Sequence, residues 1–334
     1  MRLRTERDCL SQKGLPSCLS NTLQKMWLLA HALGYHQIKL GYCGGVSSDH
    51  SRCHQLTLDE IAVAGVLCIS PLLTLAQHLQ IYYACHAIRL ITDPHYFVEQ
   101  IQPPVQPDHL KLSTAEKWRG HLEQLAGWHV VRSVTRVCVS YVQKYFAVAK
   151  SCGTLARAIF NGRAFSSVTP KPRSVNLPDM AELLQVLSIA FRGKKFSFMC
   201  ADWRHWFFQF PLHRDIQKFF GIRLLAQYFL MCVLPMGWSQ SPVIAQSTGW
   251  LIILEALRRC KVDIEPFKGQ VQLPPYLHTV HGGAVIVVAL WYDNVGCFAS
   301  SENFTMQFAK QFKAVCSDFN VNNKGIIYIS AVGA

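Results

Sequence analysis

Acidic residues are scarce: the 334 residues hold 20 Asp and Glu against 33 Lys and Arg, a formal net charge of +13. A surface so biased attracts polyanions, and nucleic acid is the commonest of these. Charged residues make up only 16% and apolar residues 50%, which excludes a disordered chain and allows one to three domains with real cores. A long hydrophobic run is also missing. The longest, Ile61 to Ala76, is interrupted by Ser70-Pro71 and passes into Gln77 and His78, short of the roughly 20 residues that a spanning helix needs. A pair of core helices and no membrane partner are expected there, an anchor through this stretch being the alternative. The start, Met-Arg-Leu-Arg-Thr-Glu-Arg-Asp, lacks the apolar heart of a secretory leader. An intracellular place, nuclear or cytoplasmic, is therefore expected, with most of the 13 cysteines reduced and buried. No internal repeat, phosphate loop, Rossmann glycine pattern or Ser/His/Asp set is present. Cys43, His50, Cys53 and His54 cluster without the spacing of a zinc finger or knuckle, and read as scattered residues.

What is present becomes legible along the chain. Gln102-Pro103-Pro104-Val105-Gln106-Pro107 suits an extended linker, because successive prolines disfavour helix. Ser113 to Leu125 suits a helix capped by Ser113 or Thr114, with Trp118, Leu122 and Leu125 on one face. Tyr145 to Ala149 and Arg157 to Phe160, joined through Ser-Cys-Gly, suit a hairpin. A helix is expected after Pro178-Asp179, a buried strand over Phe196 to Asp202, and a helix from Ser241-Pro242 to about Arg259, opened by a cap and then a proline. Val285 to Tyr292 and Val295 to Ala299 suit a second hairpin whose tip presents Asp293. Ser300 or Ser301 caps a helix with Phe304, Phe308, Phe312 and Val315 on one face. Asn322-Asn323-Lys324-Gly325 then turns the chain into a short strand, Ile326 to Ile329.

Two strands that each end in an aspartate can lie antiparallel and bring both carboxylates to one sheet edge. Magnesium takes hard oxygen ligands and is often held by one or two carboxylates plus substrate phosphates, so Asp202 and Asp293 are candidate metal ligands for nucleotidyl transfer. Solvated turn aspartates are the alternative that spacing alone leaves open.

The residues around these aspartates form ordered blocks. Ala201-Asp202-Trp203-Arg204-His205-Trp206-Phe207-Phe208-Gln209-Phe210-Pro211-Leu212 comes first, then Leu234-Pro235-Met236-Gly237-Trp238-Ser239-Gln240-Ser241-Pro242, then Trp291-Tyr292-Asp293-Asn294. Phe146-Ala147-Val148-Ala149-Lys150, with Arg157 seven residues later, stands upstream. The four blocks, over a little more than half the chain, resemble reverse transcriptases of retroelements and retroviruses. The resemblance implies that Lys150 and Arg157 grip the nucleotide triphosphate, with Arg as a planar fork and Lys as a point charge. It implies that Phe207 lies under the sugar and excludes a 2′-hydroxyl, and that Met236 and Gly237 border the nucleotide. It implies, too, that Lys324 assists the leaving pyrophosphate. Each of these has a plainer alternative as a surface cation, a core aromatic or a turn residue.

The chain departs from the family at Asn294, where a second aspartate is usual, since asparagine keeps one oxygen acceptor and loses the charge. Trp206 and Met236 also replace commoner residues. The fold expected is α+β, a polymerase palm of antiparallel sheet backed by helices with a fingers subdomain. Residues 1–105 would be an N-terminal region of unknown fold, 106–195 a helical lead-in and fingers, and 196–334 the palm with a fingers return near 213–235. A thumb and an RNase H find no room before Ala334. The function expected is template-directed addition of deoxynucleotides with Mg2+ or Mn2+, from deoxynucleoside triphosphates and an RNA or DNA template-primer. The alternative is an inactive, basic nucleic-acid-binding relic or fragment of a retroelement polyprotein.

Overall fold

The computed structural model describes residues 50–104, 116–150, 153–271 and 274–331, the side chains of 50–52 and 327–331 excepted. Cys43, the expected cap at Ser113 or Thr114, Val105-Gln106-Pro107 of the expected linker and Ser151-Cys152 of the first hairpin lie outside these residues. Eleven strands are described: β1 (Thr57–Leu58), β2 (Val131–Val134), β3 (Val142–Ala149), β4 (Leu155–Asn161), β5 (Phe196–Trp203), β6 (Gly221–Leu224), β7 (Gln227–Met231), β8 (Tyr276–His281), β9 (Ala284–Trp291), β10 (Asn294–Ala299) and β11 (Asn323–Ala331). The helices are α1 (Ile69–His78), α2 (Tyr82–Thr92), α3 (Pro94–Ile101), α4 (Arg119–Gly127), α5 (Arg163–Ser167), α6 (Met180–Ala190), α7 (Arg214–Gln217), α8 (Ser241–Arg259) and α9 (Glu302–Asp318).

The fold is α+β. One sheet runs β1-β4-β3-β6-β7-β2 and the other β11-β5-β10-β9-β8. In the first, the β3–β4 hairpin is extended by β6 and β7, so the segment after Pro211 returns to the sheet of the first hairpin.

Strand β5, flanked by β11 and β10, is buried at every position, and its period-2 alternation divides two cores. Phe196, Phe198 and Cys200 join Val287 and Phe298 under Leu183 and Leu187 of α6. Met199, Ala201 and Trp203 face the larger core, which includes α8 and Phe308, Phe312 and Val315 of α9. A strand covered on both faces explains the near-continuous apolar run. Asp202, the one charged residue on β5, follows Cys200 on the α6 side, just past the end of that core.

Several elements start where the sequence suggests. Asp179 caps α6, accepting from Ala181 and Glu182 N–H at 2.9 and 3.0 Å, and Ser301 accepts from Phe304 N–H at 3.3 Å to cap α9. Two expectations are corrected. Ile61 to Ala76 is not a helix pair: residues 61–68 are irregular and only α1 follows, with Pro71 inside its first turn, where a missing N–H costs nothing. Ser241 is the first helical residue of α8 rather than its cap, and its hydroxyl donates instead to Pro235 O at 2.7 Å. Among the described residues no helix is long and apolar enough to cross a membrane. Of the nine described cysteines, five are buried.

Candidate active site

The second sheet assembles the site by register. Asn294 pairs with Asp202 across β10 and β5, and Gly325 pairs with Asp202 across β11 and β5. Asp293 stands at the tip of the β9–β10 hairpin, whose ends are joined by the two-residue turn Tyr292-Asp293. Its carbonyl accepts from Trp203 N–H at 2.8 Å, which ties the tip to the strand that carries Asp202. Both aspartates therefore meet at one end of the sheet.

The electrostatics report that nearness. Burial, and after it the Asp202 charge, push the Asp293 carboxyl up to about 6, against the charges of Lys324 and Arg157. Asn294 donates its side-chain N–H to Asp293 Oδ1 at 2.6 Å. Lys324 occupies a bulge between Asn323 and Gly325 and places its ammonium 3.1 Å from both Asp202 oxygens. Asp202 is buried at 2% exposure, so this cation is its close countercharge.

Around the pair, Phe207 is half-buried while its neighbours Trp206 and Phe208 are core residues. Its ring lies 6.2 Å from the Tyr292 ring, which places it beside the hairpin tip. Arg157 is exposed on β4, opposite Val148, and its charge reaches Asp293. Lys150 directly follows β3, and its ammonium is engaged by Asp59. Met236 is half-buried and its carbonyl accepts from Phe160 N–H at 3.0 Å. Gly237 has φ +112°, and a Cβ there would fall 1.9 Å from Phe160 O. Its need for glycine is met by that contact between backbones, while its other side is exposed.

No protein-family model matches this sequence, and no curated protein does. A solved structure does resemble it. That structure is a foamy viral protease-reverse transcriptase in complex with double-stranded DNA, 11% identical, with a TM-score of 0.46. The superposition covers 97% of this chain and 43% of the viral one, so the chain spans less than half of that protein.

Three residues that sequence reasoning passed over hold the site in place. Gln246, buried in α8, accepts from Tyr292 N–H at 2.8 Å and donates to Leu290 O at 2.9 Å. Gln209, with no exposure, donates to Arg204 O and Asn322 O at 2.7 and 2.9 Å and accepts from Asn322 N–H at 2.8 Å, fixing the entry to β11 and so Lys324. Asp59 reaches the site from β1. A buried polar residue inside an apolar stretch was the available signal for the two glutamines, since such groups persist where backbone needs a partner. No group of three or more His, Cys, Asp or Glu poised for a metal is found among the described residues.

Proposed function

We propose that this chain carries the fingers and palm of a reverse-transcriptase-like polymerase that adds deoxynucleotides to a primer 3′ end, directed by an RNA or DNA template. The observation that carries the reading is the meeting of Asp202 and Asp293 at one sheet end, within four sequence blocks in the family's order.

The residues suit a divalent ion. Two carboxylates whose burial and mutual repulsion lift one of them to about 6 favour a cation between them, and hard oxygens favour magnesium or manganese. Held by Asp202 and Asp293, such ions would supply charge neutralisation at the attacking oxygen and the leaving pyrophosphate. The chain's own residues do the rest. Arg157 and Lys150 neutralise the triphosphate. Phe207, beside Tyr292, bounds the sugar and favours a deoxyribose, with Met236 and Gly237 along its border. Lys324 protonates or neutralises the departing pyrophosphate. The surplus of basic residues meets the template-primer backbone.

One observation favours a second reading. Asn294 brings no charge opposite Asp202 and spends its N–H on Asp293, so the same fold serves as an inactive nucleic-acid-binding relic of a mobile element. Primer extension on an RNA template with deoxynucleotides and magnesium or manganese separates the two, run beside Asp202→Ala and Asn294→Asp. Extension lost in Asp202→Ala supports the polymerase. Template binding with no extension by any variant leaves the relic.

A further inference from the structure

The Lys150 ammonium is paired with the Asp59 carboxylate, and the same Asp59 oxygen lies 3.3 Å from His205 Nε2. Asp59 belongs to none of the four blocks. It is delivered by β1, whose Thr57 and Leu58 pair in parallel with Leu155 and Ala156 of β4, and is pinned by its own N–H donating to Ala156 O at 3.0 Å. The contact thus bridges three places: the segment before the blocks, the end of β3, and the loop just after Asp202. The side chains of Lys150, Asp59 and His205 are only 24%, 25% and 13% exposed. His205 also holds a left-handed backbone, φ +49°, at the start of the turn that carries Phe207, a conformation that costs a non-glycine residue energy.

Charge decides what the contact does. Burial alone would raise the Asp59 carboxyl, but the Lys150 hydrogen bond and the His205 and Lys150 charges hold it below the usual carboxylate value. Burial pushes His205 down to about 4, helped by the neighbouring cations against the pull of Asp59, so its ring is neutral near pH 7. The cluster then holds one positive and one negative charge, which cancel. A phosphate that shares the Lys150 ammonium comes up against the Asp59 carboxylate, and two anions on one cation repel at contact range.

We propose that Asp59 is a further residue of this anion site and competes with bound phosphate for Lys150, so that it sets the affinity for a triphosphate and acts as a latch on the cation. The identity of the anion as a nucleotide rests on the polymerase reading; the competition itself does not.

The test is equilibrium binding, in EDTA, of inorganic tripolyphosphate and of deoxythymidine triphosphate to the full chain. The proteins are wild type, Asp59→Asn, Asp59→Ser, Asp59→Glu and Asp59→Asn combined with Lys150→Gln, each checked for native circular dichroism. Asp59→Asn is expected to bind both anions about tenfold tighter, the scale of one like charge removed from a partly solvated contact. Asp59→Glu should bind as wild type, and the double variant should lose the gain. Asp59→Ser reports the same gain should the Asn variant not fold. Unchanged or weaker binding in the neutral variants overturns the proposal and makes Asp59 a residue that positions Lys150. A gain for tripolyphosphate that the nucleoside does not improve, with no primer extension, keeps the latch and removes the polymerase reading.

Discussion

The buried amide of Gln246 grips the turn at Tyr292 from behind, taking the Tyr292 N–H at 2.8 Å and serving Leu290 O at 2.9 Å. Tyr292 has φ +53°, a left-handed value that two-residue hairpins usually assign to glycine. Such strain costs about 1–3 kcal/mol and persists only where the surroundings fix it. Gln246 is that fixture, and what it holds in place is the carboxylate next in the chain.

Replacing it with an apolar side chain of similar size leaves two buried backbone groups unpaired. Gln246→Leu is therefore expected to lose about 1–3 kcal/mol of stability in urea unfolding. Because the tip is then free to turn outward, the Asp293 carboxyl should also titrate closer to an ordinary aspartate, which a carboxyl-labelled NMR titration reads directly. A variant as stable as wild type would mean that the turn holds itself.

Gly237 offers a sharper contrast with another glycine. Both Gly237 and Gly153 have positive φ, but a Cβ at Gly237 would meet Phe160 O at 1.9 Å while at Gly153 nothing lies within 4 Å. Gly153→Ala should cost only the backbone term, about 1 kcal/mol. Gly237→Ala must also push β4 away from the loop before α8, and is expected to cost about 2–4 kcal/mol. Thermal and urea unfolding of the pair would show the difference, and equal losses would remove the clash as its cause.

These contacts mark what the sequence could and could not reveal. The hairpins, α6, α8 and α9 follow from short-range patterns: Pro178-Asp179 at a helix start, Ser300 or Ser301 as a cap, a phenylalanine stripe at helical spacing, and β-branched runs that stop at Asp293. The aspartates could be matched because each lies inside a local block. Asp59 could not, since nothing near it in sequence shows that β1 would pair beside β4 and place it on Lys150. The close packing of Gly237 on Phe160 was hidden for the same reason, since no local pattern shows that a strand carbonyl would stand against that glycine. Ser70-Pro71 misled in the opposite way, because proline breaks a helix interior but fits a first turn.

The raised Asp293 carboxyl has a consequence for stability. The folded chain keeps this proton up to about 6, whereas an ordinary aspartate releases it near 3.8. Its contribution is thus fully present below the lower value and lost as pH rises through the upper one. Asp293→Asn carries no charge to bury beside Asp202. In EDTA it is expected to be more stable than wild type at pH 7.5, by about 1–3 kcal/mol, with the gap closing by pH 4. A gap of constant size across that range would place the carboxyl in water.

The reverse change at the neighbouring position tests the metal. Asn294 is 5% exposed and lies opposite Asp202 in register, so Asn294→Asp buries a third carboxylate where two already repel. Without metal the variant should lose about 1–3 kcal/mol. A cation that binds the folded chain alone returns stability by mass action, about 2.7 kcal/mol at a hundredfold excess over Kd. Added magnesium should therefore stabilise Asn294→Asp more than wild type, and Asp202→Ala should blunt the response of both. This readout does not depend on catalysis, so it separates a site that binds metal without turning over from one that holds none. Identical magnesium responses in the four proteins, wild type and Asn294→Asp each with and without Asp202→Ala, would take Asp202 and position 294 out of any metal site, whatever the primer-extension result.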